Sequence, residues 1–184
     1  MTLPLTHDKL SPRERYIVPR VAALALGAVI PALTVADTAD TNVAIVANVV
    51  ANCISTSTPI AFGNYNRFDP QPLMAVGTLT LICAQEATPS VAIGLGTNPS
   101  GGVRRMTAPG GGVLPYSILT PTSPGPDATC TGATTDYPTV APGFTLTPAP
   151  SFAPRTFTVC GKIASGISAP IGSYADTVLA TISF

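Results

Sequence analysis

Four cysteines are the residues of this 184-residue chain most suited to chemistry: Cys53, Cys83, Cys130 and Cys160. Two disulfides are the direct reading of an even number in an oxidising compartment. Four cysteines allow three pairings; 53 with 83 and 130 with 160 each span 30 positions and each join predicted strands or their edges. A zinc site competes poorly, because no CxxC spacing occurs and the single histidine, His7, stands near the start of the chain. Without a histidine beyond His7, a Ser-His-Asp or Cys-His arrangement in the rest of the chain has no base. The carboxylates Asp69, Glu86, Asp127, Asp136 and Asp176 could serve paired acid-base chemistry, but no spacing brings two together. Arg104 and Arg105 read as surface arginines at a strand end rather than an anion site. The glycine-rich turn at 109–112 lacks the lysine of a phosphate loop and has no helix pattern after it, so it reads as a hairpin. Neither catalysis nor a cofactor nor a metal is expected.

The compartment follows from the first 36 residues. Lys9, Arg13, Arg15 and Arg20 precede an apolar run at 21–36, with Thr34 and Ala36 at the minus-three and minus-one positions of a cleavage site. That is the pattern of a secretory signal peptide. The run is short for a bilayer core of roughly 30 Å and is interrupted by Gly27 and Pro31, which argues against an anchor. Cleavage would leave five Arg and Lys against seven Asp and Glu, a net charge of −2, with no basic patch for nucleic acid. So low a charge density suits a subunit whose surface is covered by neighbours.

After the leader, Pro and Gly recur every few residues and Val, Thr and Ile fill the segments between, so the expected fold class is all-β. Alternation or short apolar runs predict strands over 43–54, 77–83, 90–94, 114–119, 155–163 and 174–184. The turns are predicted at 98–102 and 109–112, and 121–154 reads as long loops with one or two short strands, pinned by Cys130. Several short strands between turn clusters point to a sandwich or barrel.

The two ends of the exported part stand out. Val43, Ile45, Ala47, Val49 and Ala51 alternate with a less apolar face, behind the short polar lead 37–42. On the residues alone this reads as the first strand of the chain's own sandwich. At the other end Tyr174, Asp176, Val178, Ala180, Ile182 and Phe184 alternate up to the last residue, leaving an apolar edge that another copy of the chain could cover.

Five signatures in order give the chain a resemblance to the spore coat protein U family, which includes the major pilins of archaic chaperone-usher pili. They are VVANC at 49–53, IAFGNY at 60–65, GTLTLIC at 77–83, RRM at 104–106 and GSYADTV at 172–178, ahead of a C-terminal strand. The resemblance runs from about Asn42 to Phe184. It implies an incomplete immunoglobulin-like β-sandwich completed by donor-strand exchange: a periplasmic chaperone fills an open groove first, and at the outer-membrane usher the N-terminal strand of the next copy replaces it. Residues 1–36 would then be the signal peptide, 37–52 the donor segment and 53–184 the pilin domain. Carried over by position, Val43, Ile45, Ala47 and Val49 would be donor side chains, and Val178, Ala180, Ile182 and Phe184 the groove edge. Cys53 and Cys83 match the family's cysteine pair; Cys130 and Cys160 add to the common pattern, and Phe184 stands where a tyrosine is frequent. The implied function is a structural fibre subunit at the cell surface, supporting adhesion or biofilm formation. The alternatives are a spore-coat or matrix structural protein, or a secreted carbohydrate-binding module, the last disfavoured by the absence of tryptophan.

Overall fold

The structure is a computed structural model describing residues 44–184. The predicted leader at 1–36, the polar lead at 37–42 and Val43 lie outside the described residues. The chain divides into two units, Met1–Ile45 and Val46–Phe184. Of the first, Ala44 and Ile45 are described; both are exposed and outside any strand.

The described residues are all-β, with no helix among them. Eight strands form: β1 Cys53–Thr58, β2 Leu73–Cys83, β3 Ser90–Ile93, β4 Arg104–Thr107, β5 Val113–Leu119, β6 Phe144–Thr145, β7 Arg155–Ile163 and β8 Ala180–Ser183. One sheet has the order β1-β2-β7-β5-β4 and the other β6-β3-β8, with every named pair antiparallel. Period-two alternation explains the long central strands. In β2, Ala75, Leu79, Leu81 and Cys83 are buried, and across the register Phe157 and Val159 of β7 point the same way. On the opposite face Thr58 meets Thr78 at 2.8 Å and Thr80 meets Thr156 at 2.9 Å, hydroxyl to hydroxyl. The core lies between the sheets, joining Leu79, Leu81, Ile118 and Phe157 of the larger sheet to Val91 and Ile93 of the smaller.

Both disulfides form, between Cys53 and Cys83 and between Cys130 and Cys160. The first joins directly opposed residues of β1 and β2; the second ties the long loop after β5 to β7. The turn at 109–112 is the β4–β5 hairpin, closed by Ala108 N–H to the Gly112 carbonyl at 2.9 Å.

Three expectations are corrected. The strand predicted over 43–54 is absent from 44–52, and pairing begins only at Cys53, because β2 offers partners from Cys83 downwards. The strand predicted from 174 begins at Ala180, because 174–179 cross from one sheet to the other. Arg104 is not a surface arginine: it is 5% exposed.

Candidate functional site

Segment 59–65, directly after β1, leaves its sheet edge and lies over the inner face of β2 and β7. Two glycines make room for it. A Cβ at Gly77 would stand 2.7 Å from Ile60 Cγ1 and one at Gly161 2.5 Å from Ile60 Cγ2, closer than packed carbons come. Phe62 also packs over Gly161 and meets the Tyr116 ring edge-on, centroids 6.2 Å apart. Tyr65 fixes the far end, donating to the Ala164 carbonyl and accepting from Ile167 N–H, each at 2.8 Å.

Facing this segment is the run into β8. Ala175 exchanges two main-chain hydrogen bonds with Thr107 of β4, at 3.0 and 3.1 Å, and four residues later the Leu179 carbonyl accepts from Gly94 N–H at the end of β3. Residues 174–179 thus bridge the two sheets. Between them and residues 57–60 a cleft of about 410 Å³ stays open. Its walls are Ser57, Thr58, Pro59 and Ile60 on one side and Val178 and Ala180 on the other; its floor is core itself, including Leu79, Ile93, Ile118 and Val159. A second cleft of about 790 Å³ shares Ile60, Phe62, Met106 and Tyr174 with the first. β8 is bonded on one side, to β3, and among the described residues no strand pairs its other side.

The mouth of the cleft is polar at one point. Asp176 accepts from Thr97 N–H at 2.9 Å, Thr97 Oγ1 at 2.6 Å, Thr177 N–H at 2.9 Å and the Tyr116 hydroxyl at 2.7 Å. Partial burial pushes its carboxyl up, but these four donors outweigh that and hold it below the usual carboxylate value. Burial, and then the bond to Asp176, push the Tyr116 phenol well above its ordinary range. Arg104 of β4 reaches across to the smaller sheet, donating from Nε to the Gly94 carbonyl at 2.9 Å and from Nη2 to the carbonyls of Ile93 and Tyr137. Burial lowers its pKa, and the charges of Tyr116, Asp136 and Asp176 act the other way.

The residues singled out from the sequence divide as follows. Val178, Ala180 and Ile182 are half-buried against the core; Val178 and Ala180 line the cleft, whereas Ile182 pairs with Val91 and Phe184, past the end of β8, is 52% exposed. Ile45, Ala47 and Val49 are exposed and unpaired with any strand. Sequence reading missed Ile60, Phe62, Arg104, Tyr116 and Asp176 as structural determinants of the cleft. Four of them stand in the stretches IAFGNY, RRM and GSYADTV, so the signal was present without its meaning. Among the described residues no three His, Cys, Asp or Glu side chains gather as a metal site would need.

A family model described as Spore Coat Protein U domain matches residues 38–181. The chain belongs to that family. No curated protein matches it. Among solved structures, the spore coat protein U domain described here is similar to a chain of the CsuC–CsuE chaperone-tip adhesion subunit pre-assembly complex from archaic chaperone-usher Csu pili of Acinetobacter baumannii. Identity is 19% and the TM-score 0.50, over 74% of this chain and 40% of that one. At that identity the likeness is one of fold, and it spans two fifths of the other chain. The spore coat protein U domain is a structural, not an enzymatic, family.

Proposed function

We propose that this chain is a structural subunit of a chaperone-usher surface fibre, and that its cleft receives an extended segment from a second copy. The observation that carries this is a cleft floored by core residues beside the run into β8, whose second edge no described strand pairs, in a chain that also holds an apolar, alternating segment in solvent. Val46 is 92% exposed, Val49 90% and Val50 74%. Strand addition to an open sheet edge, of which pilin complementation is an established example, uses these two features together. Main-chain pairing with the free edge of β8 would supply affinity, and alternate side chains reaching the floor would set register. Val43, Ile45, Ala47 and Val49 serve as donor side chains, with Val178, Ala180, Ile182 and Phe184 along the receiving edge.

Burying three large apolar donor side chains at about 1.5 to 3 kcal/mol each gives about 5 to 9 kcal/mol before ordering costs. That rivals the total stability of a small domain, so an uncomplemented subunit needs a chaperone to cover its cleft. In this reading 1–36 is the exported leader, 37–52 the donor segment and 53–184 the receiving domain. The chaperone is periplasmic, the usher sits in the outer membrane, and the fibre is a homopolymer at the cell surface that supports adhesion or biofilm formation. Membership of the spore coat protein U family and the fold shared with a chain of a chaperone-subunit complex support the assignment.

The test is a chain carrying Val43→Asp and Ile45→Asp. Polymerisation should be abolished while the complex with the chaperone persists, as read by electrophoresis of periplasmic extracts. A parent chain that purifies as a closed monomer, with 43–51 docked in its own cleft, would refute the proposal.

A further inference from the structure

One carboxylate sits where the receiving edge crosses from sheet to sheet. Asp176 binds Tyr116, whose ring belongs to the cleft floor, through Oδ2, and Thr97, from the loop after β3, through Oδ1. It therefore ties both sheets and its own segment together at the mouth. Arg104 holds the same β3 exit from the opposite side of the hydrogen-bond ledger: it takes the carbonyls of Ile93 and Gly94, and Asp176 takes the N–H of Thr97. Acid and base thus fix the two ends of a five-residue stretch. Between them Gly96 adopts φ +88°, and a Cβ there would run into the Asp176 carboxylate, so the approach is as close as the backbone allows. Its donors come from β5, from the loop after β3 and from its own segment, so the carboxylate fixes rim 174–178 to both sheets, where packing alone would draw an apolar cleft shut.

We propose that Asp176 is a positioning residue for strand capture, its ionised carboxylate holding rim 174–178 at the separation from Ile60 that admits an incoming strand. The inference rests on the strand-exchange reading above. Its consequence is a pH dependence. The folded-state carboxyl is held below its ordinary value, so the hold is complete above the ordinary carboxylate range and is lost as pH falls through the depressed value. The ionisable groups around it are Tyr116 from β5 and Arg104 from β4, with Asp136 acting on Arg104 from beyond β5. Tyr116 titrates far above this window and Arg104 remains a cation through it. Asp136 is the remaining carboxylate, and its variant is the control.

The experiment uses the complex of the exported chain with its chaperone, recovered from the periplasm, the chain carrying Val43→Asp and Ile45→Asp so that it cannot be its own donor. The probe is a labelled synthetic peptide of residues 42–53, and the readout is its rate of uptake against pH. Parent uptake should be flat near neutrality and fall in the acid range. Asp176→Ala should slow uptake about tenfold at neutral pH, the loss of charge-assisted hydrogen bonds. Asp176→Asn, which keeps an acceptor for Thr97, should recover part of that rate and lose the acid fall, while Asp136→Asn should keep it. Neutral-pH uptake by Asp176→Ala equal to the parent's, or an acid fall retained by Asp176→Asn, overturns the inference and leaves strand exchange standing. No uptake by the parent overturns both.

Discussion

A guanidinium taken out of water is costly unless its N–H groups find acceptors, and Arg104 meets that condition with main-chain carbonyls alone. Its neighbour Arg105 faces the other way, donating from Nε to the Asn98 carbonyl at 2.9 Å near the surface. The two arginines were visible in the sequence; their different fates were not. Adjacent residues of a strand point to opposite faces, so a paired strand carrying Arg-Arg must turn one inward, but placing the pair at a strand end left both free to face solvent. Arg104→Met removes the donor of two buried carbonyls and one part-buried one, and is expected to cost about 2 to 4 kcal/mol. Arg105→Met should stay within about 0.5 kcal/mol, as surface changes do. Urea unfolding of both, at unchanged slope, measures the difference; equal costs would mean that Arg104 contributes only its charge.

At the scale of elements, legibility followed how far a strand's pattern is set by burial. β7 was predicted over its observed bounds and β5 to within one residue, whereas β2 was predicted from 77 and begins at Leu73, because its inward places between Leu73 and Leu79 hold only Ala75 and Gly77. The first strand was predicted over 43–54 and forms over Cys53–Thr58, an overlap of two residues. Alternation at 43–51 is as regular as in any strand, yet pairing also requires a partner edge, and β2 supplies one to Cys53–Thr58, a Ser- and Thr-rich stretch with no apolar face. The crossing at 174–179 was read as strand because alternation continues through it, the inward residue at its centre being Asp176. The disulfides act at this scale too. Cys130 and Cys160 lie away from the cleft and fasten the 121–154 loop to the centre of the larger sheet, where Cys160 is fully buried. Replacing both with Ala is expected to cost about 3 to 4 kcal/mol by the loop-entropy model, without changing the rate of peptide uptake. Replacing Cys53 and Cys83 loosens β1, an edge strand whose Ser57 and Thr58 wall the cleft. That pair should lower both stability and uptake. Thermal unfolding with and without the 42–53 peptide separates the two; a loss of uptake in the 130/160 variant would show that the loop, and not β1, shapes the cleft.

For the whole molecule the strand-exchange proposal turns on donor and receiver being different surfaces of one chain. A contact of that kind is head-to-tail and does not close on itself, so it propagates as a filament. Two crippled chains make the logic measurable. A chain with Val43→Asp and Ile45→Asp lacks a donor but keeps a cleft, whereas one with Ala180→Glu places a charge in the cleft wall and keeps its donor. Neither should polymerise alone. Mixed, the intact donor of the second enters the intact cleft of the first, and both remaining sites are dead, so growth must stop at two subunits. Native mass spectrometry of the mixture should therefore show a dimer of one chain of each kind and nothing longer. Fibres in the mixture would mean that a surface other than the cleft joins the subunits. The absence of the mixed dimer, with both chains folded, would mean that the segment ahead of Cys53 and the open edge of β8 do not recognise one another.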